Sequence, residues 1–458
     1  MSNQIRTIMR AKSKSLARNK EITLRKHLNA DALFHNMRKG FDNIKDTRTG
    51  NGKHSLTDAL MSGFAMFSLK DPSLLQFDAR RYTGPHNLKT IYGIGTIPCD
   101  TSMRETLDVV KPEFIRPLFK DGFRALQRGK ALEQMVFMDG HYLLNFDGTG
   151  YFNSKKIFSD ACMKKVNSTT GKVSYYIHAV GAVLVHPDHK VVIPLCPEMI
   201  IKQDGETKND CERNAVKRLL KKLKKDHPHL KLIINEDSLS SNAPHIRELE
   251  KYEHKYILGA KEGDHKFLYN YVDQAAANGE AVELDIPDEH KEHITHCFRI
   301  VYDAPLNKAN QDCRITFVEY WQHNEKTGKD LRFSWVTNLK VTKENALQFM
   351  RGARARWKIE NETFNTLKNQ GYHFGHNFGL GKKHLSEVFV MLMMLAFMVD
   401  QIIQLCCPLF NAVWKKLKTK QLLWEHVRIH FQAFLIDTME DLYRSILYHK
   451  PMPVPKRQ

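Results

Sequence analysis

NFDGTGYF, Asn145 to Phe152, follows the apolar residues Tyr142, Leu143 and Leu144. That run reads as a β-strand over 142–147, with Asp147 at its end and Gly148 and Gly150 beyond it. Asp-Gly is a common turn dipeptide, so by itself the segment is a turn that contains an acid. It becomes more than a turn only if other carboxylates meet Asp147 in space. The order of the elements that follow decides this.

VSYYIHAVGAVLV, residues 173–185, is rich in β-branched and aromatic residues and reads as a second strand. HPDHK is a turn, and a third strand runs from Val191 to Leu195. A basic helix is expected over 209–225, because Val216, Leu219, Leu220 and Leu223 fall at i, i+3, i+4 and i+7. A fourth strand, Leu230 to Asn235, stops before Glu236 and Asp237. A short helix over 244–252 and a fifth strand, Lys255 to Ala260, follow. Three strands joined by hairpins, then alternating helix and strand, is the order of a ribonuclease-H-like α/β fold with a mixed sheet.

In such a sheet, carboxylates at the ends of strands one and four lie side by side. Those are Asp147 and one of the pair Glu236 and Asp237. The two alternate along the chain, so one should point at the site, and Asp237 is the choice. Asp139, in MDGH before the first strand, reads as a turn residue. A third carboxylate should come from the helix RARWKIENETFNTLKNQGYHFGHN, part of a helix expected over 343–369. Trp357, Glu360, Phe364 and Leu367 share one face of a regular helix. Glu360 is therefore expected in an apolar stripe, where a carboxylate is costly unless paired. Glu362 points about 200° away. An ion pair with Arg356, one turn earlier, is the plain structural alternative for Glu360.

The flanks are different in kind. Residues 1–130 read as a helical, basic region. Ser55 is an N-cap signal before an apolar run, and Asp100, Thr101 and Ser102 are cap candidates for a second helix with Glu105 as the capping-box partner. The catalytic domain is expected over 131–279 and 342–405. It is interrupted at 280–341 by a β-strand insertion carrying HCFRIVYD, CRITFVEYWQ and RFSWVTNLKV. Residues 406–458 form a helical C-terminal region with a PMPVPKRQ tail. Val388 to Phe410 is very apolar, but Asp400, Gln401 and Gln404 interrupt it. A buried core helix is expected there rather than a membrane span, which wants about 20 apolar residues with few polar ones.

The 458 residues carry 70 Lys and Arg against 51 Asp and Glu, a net charge of +19, which favours a polyanionic partner. Arg6, Arg10, Lys12, Lys14, Arg18, Lys20, Arg25 and Lys26 face a single acid, Glu21, at the start of the chain. No apolar core follows them, so they do not read as a secretory signal. The eight cysteines have no zinc-knuckle spacing and no disulfide-dense block, which suits a reducing, cytoplasmic compartment. Lys217, Arg218, Lys221 and Lys222 on the basic helix are candidate phosphate contacts, against the plain alternative of a solvated surface.

Taken together, FDGTGYF, IINEDSLSSNAP and RWKIENETFNTLK resemble a bacterial insertion-sequence DDE transposase. The group resembled has a Tyr-Arg-Glu-Lys signature on its third-acid helix and a β insertion before it. IPCDTSMRETLD, DGETKNDCERNAVKRLL and YILGAKEGDHKFL add to the likeness, which covers roughly residues 90 to 400. The resemblance implies Asp147, Asp237 and Glu360 as the catalytic triad, binding two Mg2+ or Mn2+ ions. It also implies double-stranded DNA as partner, in a complex with a homodimer located with the nucleoid. The activity implied is cutting at the element's ends, then joining of the freed 3′-hydroxyls to target DNA. Arg356 matches the signature Arg. Ala353 stands where the signature has Tyr and Leu367 where it has Lys, with Lys368 one place late. These departures bear on how the DNA end is held. Trp335, in the insertion, is a candidate for stacking on a flipped base. A stand-alone Mg-dependent nuclease and an inactive DNA-binding relic are the alternatives on the same fold.

Overall fold

The computed structural model describes residues 23–48, 54–160, 162–200 and 211–448. Most of the basic N-terminal arm, the first part of DGETKNDCERNAVKRLL and the PMPVPKRQ tail lie outside the described residues.

The chain is mixed α/β, with helical N-terminal and C-terminal regions around one 12-stranded mixed sheet. The strands are β1 (Val136–Met138), β2 (His141–Ser154), β3 (Met163–Val166), β4 (Val173–His186), β5 (His189–Pro194), β6 (Glu198–Ile200), β7 (Leu232–Glu236), β8 (Lys255–Gly259), β9 (Val282–Pro287), β10 (Ile294–Asn307), β11 (Asn310–Asn324) and β12 (Lys329–Thr337). Along the sheet the order is β3-β4-β2-β7-β8-β12-β11-β10-β9, with β5 and β6 on the free edge of β4. β2 pairs in parallel with β7, and β7 with β8; the other pairings are antiparallel.

The five expected central strands are all present, in the spatial order β5-β4-β2-β7-β8. The 280–341 segment does not stand apart. β12 pairs with β8 at Trp335↔Gly259 and carries the sheet onward through β11, β10 and β9. The helix Lys266–Ala277 precedes this extension and was not expected from the sequence. Asp139 and Gly140 both have positive φ, 49° and 74°, and make the turn between β1 and β2.

Three expectations need correction. β2 does not end at Asp147; it runs to Ser154, because β4 continues beside it as an antiparallel partner (Asp147↔Gly181, Ser154↔Tyr175). The helix over 343–369 is broken. Ala346–Arg354 is α-helical, Ala355 and Arg356 form a turn, Ile359–Phe364 is π-helical and Asn365–Asn369 returns to α. The helix over Asp100–Asp108 is capped by Cys99 without a side-chain bond, and Asp100 instead pairs with Arg104 at 2.7 Å. The other cap expectation holds: the Ser55 hydroxyl accepts from Asp58 N–H at 3.0 Å.

Leu385–Cys406 is the one helix among the described residues long and apolar enough to cross a membrane, and 89% of that apolar stretch is buried inside the protein. It packs against the Leu56–Ser68 helix and against β5. Its Asp400 is neutralised by Lys70 at 2.5 Å. The N-terminal and C-terminal helices share further polar contacts. The Asn87 amide donates to Phe431 and Phe434 carbonyls, and Asp31 accepts from the N–H groups of Met439 and Glu440.

Candidate active site and metal-binding carboxylates

Asp147 occupies a particular place in β2. Parallel pairing with β7 ends at Asn145↔Asn235, and Asp147 lies one pleat beyond it. β7 ends at Glu236, so Asp237 emerges beside that point. Asp147 is mid-strand in the chain but sits at the end of the parallel pair, which is what brings the two acids together. Asp237 is exposed, and one of its oxygens accepts from Leu239 N–H at 3.0 Å. Glu236 points the other way. It is buried, with His245 at 2.6 Å on one oxygen and the Ser240 hydroxyl at 3.1 Å on the other. Side-chain alternation separates the two acids, although both border the same clefts.

Asn145, Asp147 and Gly181 face one side of the sheet, the side covered by the interrupted helix. Gly181 has no side chain, and a Cβ there would meet Phe364 at 3.0 Å, so the π-helical turn lies directly on the strands. The break in the helix is held by two buried asparagines that are paired in register. Asn145 donates to the carbonyls of Ala355 and Arg356 (2.9 and 3.1 Å). Asn235 donates to those of Gly352 and Ala353 (3.0 and 3.3 Å). Helix ends leave carbonyls without partners, and these amides supply them. Asn235→Leu is expected to cost about 1–3 kcal/mol in chemical denaturation, the usual penalty for orphaned buried acceptors. A cost near zero would mean that the amides do not hold the break.

The break places Arg356 over the acids. Its guanidinium is 3.1 Å from Glu360 and 4.0 Å from Asp147. Glu360 is not on a buried face, contrary to the expectation from a regular helix. Its side chain is 38% exposed and Trp357 is 53% exposed, whereas Ile359, Thr363 and Phe364 are buried. The π turn changes the number of residues per turn and rotates the stripe away from Glu360. Glu360 still belongs with Asp147, because its charge helps to raise the Asp147 carboxyl and both face the Arg356 guanidinium. Glu362 lines a different cavity.

A fourth acid joins these from the opposite face of the sheet. Glu212 begins the Glu212–Asp226 helix, and its carboxylate tip lies against Gly148, where a Cβ would sit 2.3 Å from it. In the sequence its helix reads as a basic surface, and Glu212 is not among the expected site residues. An acid in the first helical turn, against a run of lysines and arginines, was the available signal. Burial pushes the Asp147 carboxyl up to about 6, Glu360 and Asp237 adding to this and Arg356 opposing it. Packing against the strand and the charges of Asp147 and Asp237 push Glu212 up to about 7.

For Asp147 the consequence is a pH dependence of stability. A carboxyl raised above its ordinary 3.8 stabilises the fold when protonated, and that contribution is lost as pH rises through about 6. In chelator, Asp147→Asn is expected to gain stability over the parent at pH 8 and little at pH 4, by at most about 3 kcal/mol at roughly 1.4 kcal/mol per unit. Equal gains at both pH values would exclude this origin.

Asp237 lines two clefts. One, of about 570 Å³, is lined by Asp237, Arg332, Phe333, Trp335, Arg354 and Arg356. The other, of about 550 Å³, is lined by Glu212, Lys217 and Asp237 among others. Lys217 is therefore beside the acids. Arg218 and Lys222 are held elsewhere, both paired with the buried Glu198 at 2.9 and 2.7 Å. Lys221 and Lys368 are exposed and away from the clefts' linings. Trp335 is only 6% exposed, packed flat on Phe333 and edge-on to Phe349, so it is largely a core residue. Ala353 and Leu367, at the departures from the signature, are both buried.

Among the described residues, no group of three or more His, Cys, Asp or Glu side chains stands ready-made to hold a metal ion. Compared with protein-family models, the chain matches none. No curated protein matches it either.

Proposed function

We propose that the chain is a DDE-type DNA transposase that uses Asp147, Asp237 and Glu360 for phosphoryl transfer on double-stranded DNA. The observation that carries this reading is the meeting of Asp147 and Asp237 where the parallel pair β2 and β7 ends, with Glu360 brought over Asp147 by the broken helix. The spatial order β5-β4-β2-β7-β8 supports a ribonuclease-H-like core, with β9 to β12 as the insertion before the third-acid helix. The divisions at 131–279, 280–341 and 342–405 follow from the same reading.

The donor set is all carboxylate oxygen, which suits Mg2+ or Mn2+. Two such ions, when bound, supply the charge that clamps the attacking and leaving oxygens of a displacement at phosphorus. The raised Asp147 carboxyl fits such a site, because burial and the neighbouring acids leave it short of positive charge. Arg356 compensates in part, and its guanidinium can donate to two phosphate oxygens at once. Arg332, Arg354 and Lys217 line the clefts on either side and would steer a DNA backbone past the acids. The exposed indole of Trp357, with Arg356 over it at 5.5 Å, offers a stacking face that Trp335 does not.

The test is nicking of supercoiled plasmid in Mg2+ or Mn2+, followed by strand transfer with duplexes carrying the ends of the element. Joining of 3′-hydroxyl ends to target supports the transposase and a paired complex of two chains. Cutting without joining points to the stand-alone nuclease, and DNA binding without cutting to the inactive relic.

A further inference from the structure

A cavity of about 1070 Å³ among the described residues, larger than either cleft at Asp237, is not at the carboxylates. Glu362 lines it, two residues along the π-helical turn from Glu360, so that turn is the wall between cavity and acids. Six lysines and arginines line it. Two are already neutralised: Lys70 by Asp400, and Arg80 by both oxygens of Asp71 at 2.6 Å. The other four are Lys190 from the β4–β5 hairpin, Lys418 and Lys420 before and at the start of the Lys420–Ala433 helix, and Arg428 within that helix. Among the described residues, none of these four forms an ion pair with an acid. Glu362 and Glu425 are the only other acids in the lining, leaving an excess of positive charge.

Burial holds the Lys420 ammonium below its ordinary value, and Lys190 adds to this against Glu362 and Asp400. Burial likewise holds down the Arg428 guanidinium. An anion in the groove would relieve both. The remaining lining mixes amides and a hydroxyl, including Asn369, Gln370, Thr419 and Gln421, with the indoles of Trp414 and Trp424, so donors for phosphate oxygens stand beside flat apolar faces. The four cations come from two separate parts of the chain, a strand hairpin and a C-terminal helix.

We propose that this groove is a second binding surface for a DNA phosphodiester backbone, separated from the carboxylates by the thickness of one helical turn. It rests on the proposed DNA chemistry for the choice of polyanion. A backbone here would run roughly 10 Å from the acids, about one helix diameter. The groove therefore holds phosphates other than the one presented for reaction.

The test is fluorescence anisotropy of the full chain with a labelled duplex in chelator, across a range of salt. Each phosphate contact contributes roughly 0.9 to the slope of log K against log salt. Lys190→Gln/Lys420→Gln/Arg428→Gln is expected to lower that slope by about 2 to 3 and to weaken binding at least about tenfold at moderate salt. Lys308→Gln/Lys326→Gln/Lys329→Gln, an equal loss of charge on exposed turns and a strand end of the insertion, is expected to change it far less. Lys190→Glu alone, on an exposed hairpin, should weaken binding without disturbing the fold. An unchanged slope in a folded triple variant overturns the proposal. So does an equal fall in the insertion control, or a groove effect on anionic vesicles and not on DNA. If nicking fails while the slope falls, the transposase reading is lost and the groove stands; the reverse pattern removes the groove alone.

Discussion

Asp147→Asn is expected to reduce metal-dependent cleavage of DNA by roughly 10³-fold or more, equivalent to about 4 kcal/mol of transition-state stabilisation. The substitution keeps the shape of the side chain and removes only the charge that faces Asp237 and Glu360. DNA binding in chelator should persist, because the loss falls on chemistry. Glu360→Gln is expected to match it. Glu362→Gln is expected to retain cleavage, since that acid lines the basic groove instead. Loss in the Glu362 variant with retention in the Glu360 variant would reverse the assignment of the third acid.

The largest expected effect on stability lies elsewhere, at Lys70 and Asp400. The ammonium is fully buried, donates to Asp400 at 2.5 Å and to the Phe67 and Ser68 carbonyls at 3.1 Å, and lies over the rings of Tyr372 and Trp424. Tyr372 also donates to Asp400. This pair ties the N-terminal helices to the long core helix. Lys70→Met would leave the Asp400 carboxylate buried without its cation, at a cost of about 3–5 kcal/mol. Lys70→Met with Asp400→Leu removes both charges and is expected to recover most of that loss. A Lys70→Met variant within about 1 kcal/mol of the parent in chemical denaturation would show that the buried pair is not needed.

Much of the central sheet was legible in the sequence. Apolar and β-branched runs marked β2, β4, β5, β7 and β8, and their order along the chain constrained how they pair. The two aspartates followed from that order. The extent of β2 was not legible, because Asp147-Gly148 has the composition of a turn and only the presence of β4 keeps the strand extended beyond it. The choice of Glu360 rests on a periodicity that the folded chain does not keep. Regular spacing put Glu360 in an apolar stripe, whereas the π turn, fixed by Asn145, Asn235 and Gly181 on three strands, leaves it half-exposed beside Arg356. Such a turn depends on distant residues and has no local sequence pattern. Glu212 was hidden for a similar reason, since its place beside Gly148 depends on how a helix docks against the far face of the sheet.

The basic residues divide in the same way. Lysines on one helix read alike in sequence, yet Lys217 borders the carboxylates while Arg218 and Lys222 are fastened to Glu198. The groove at Lys190, Lys420 and Arg428 gathers cations from parts of the chain more than 200 residues apart, so no local charge run announces it.

The central claim is that Asp147, Asp237 and Glu360 together form a divalent-metal centre. Crystals grown in Mn2+, measured at the manganese absorption edge, test it most directly. Anomalous density between the carboxylates of Asp147 and Asp237, lost in Asp147→Asn, is the expected result. No density there at saturating Mn2+ with DNA bound, or density at other side chains only, would contradict the account.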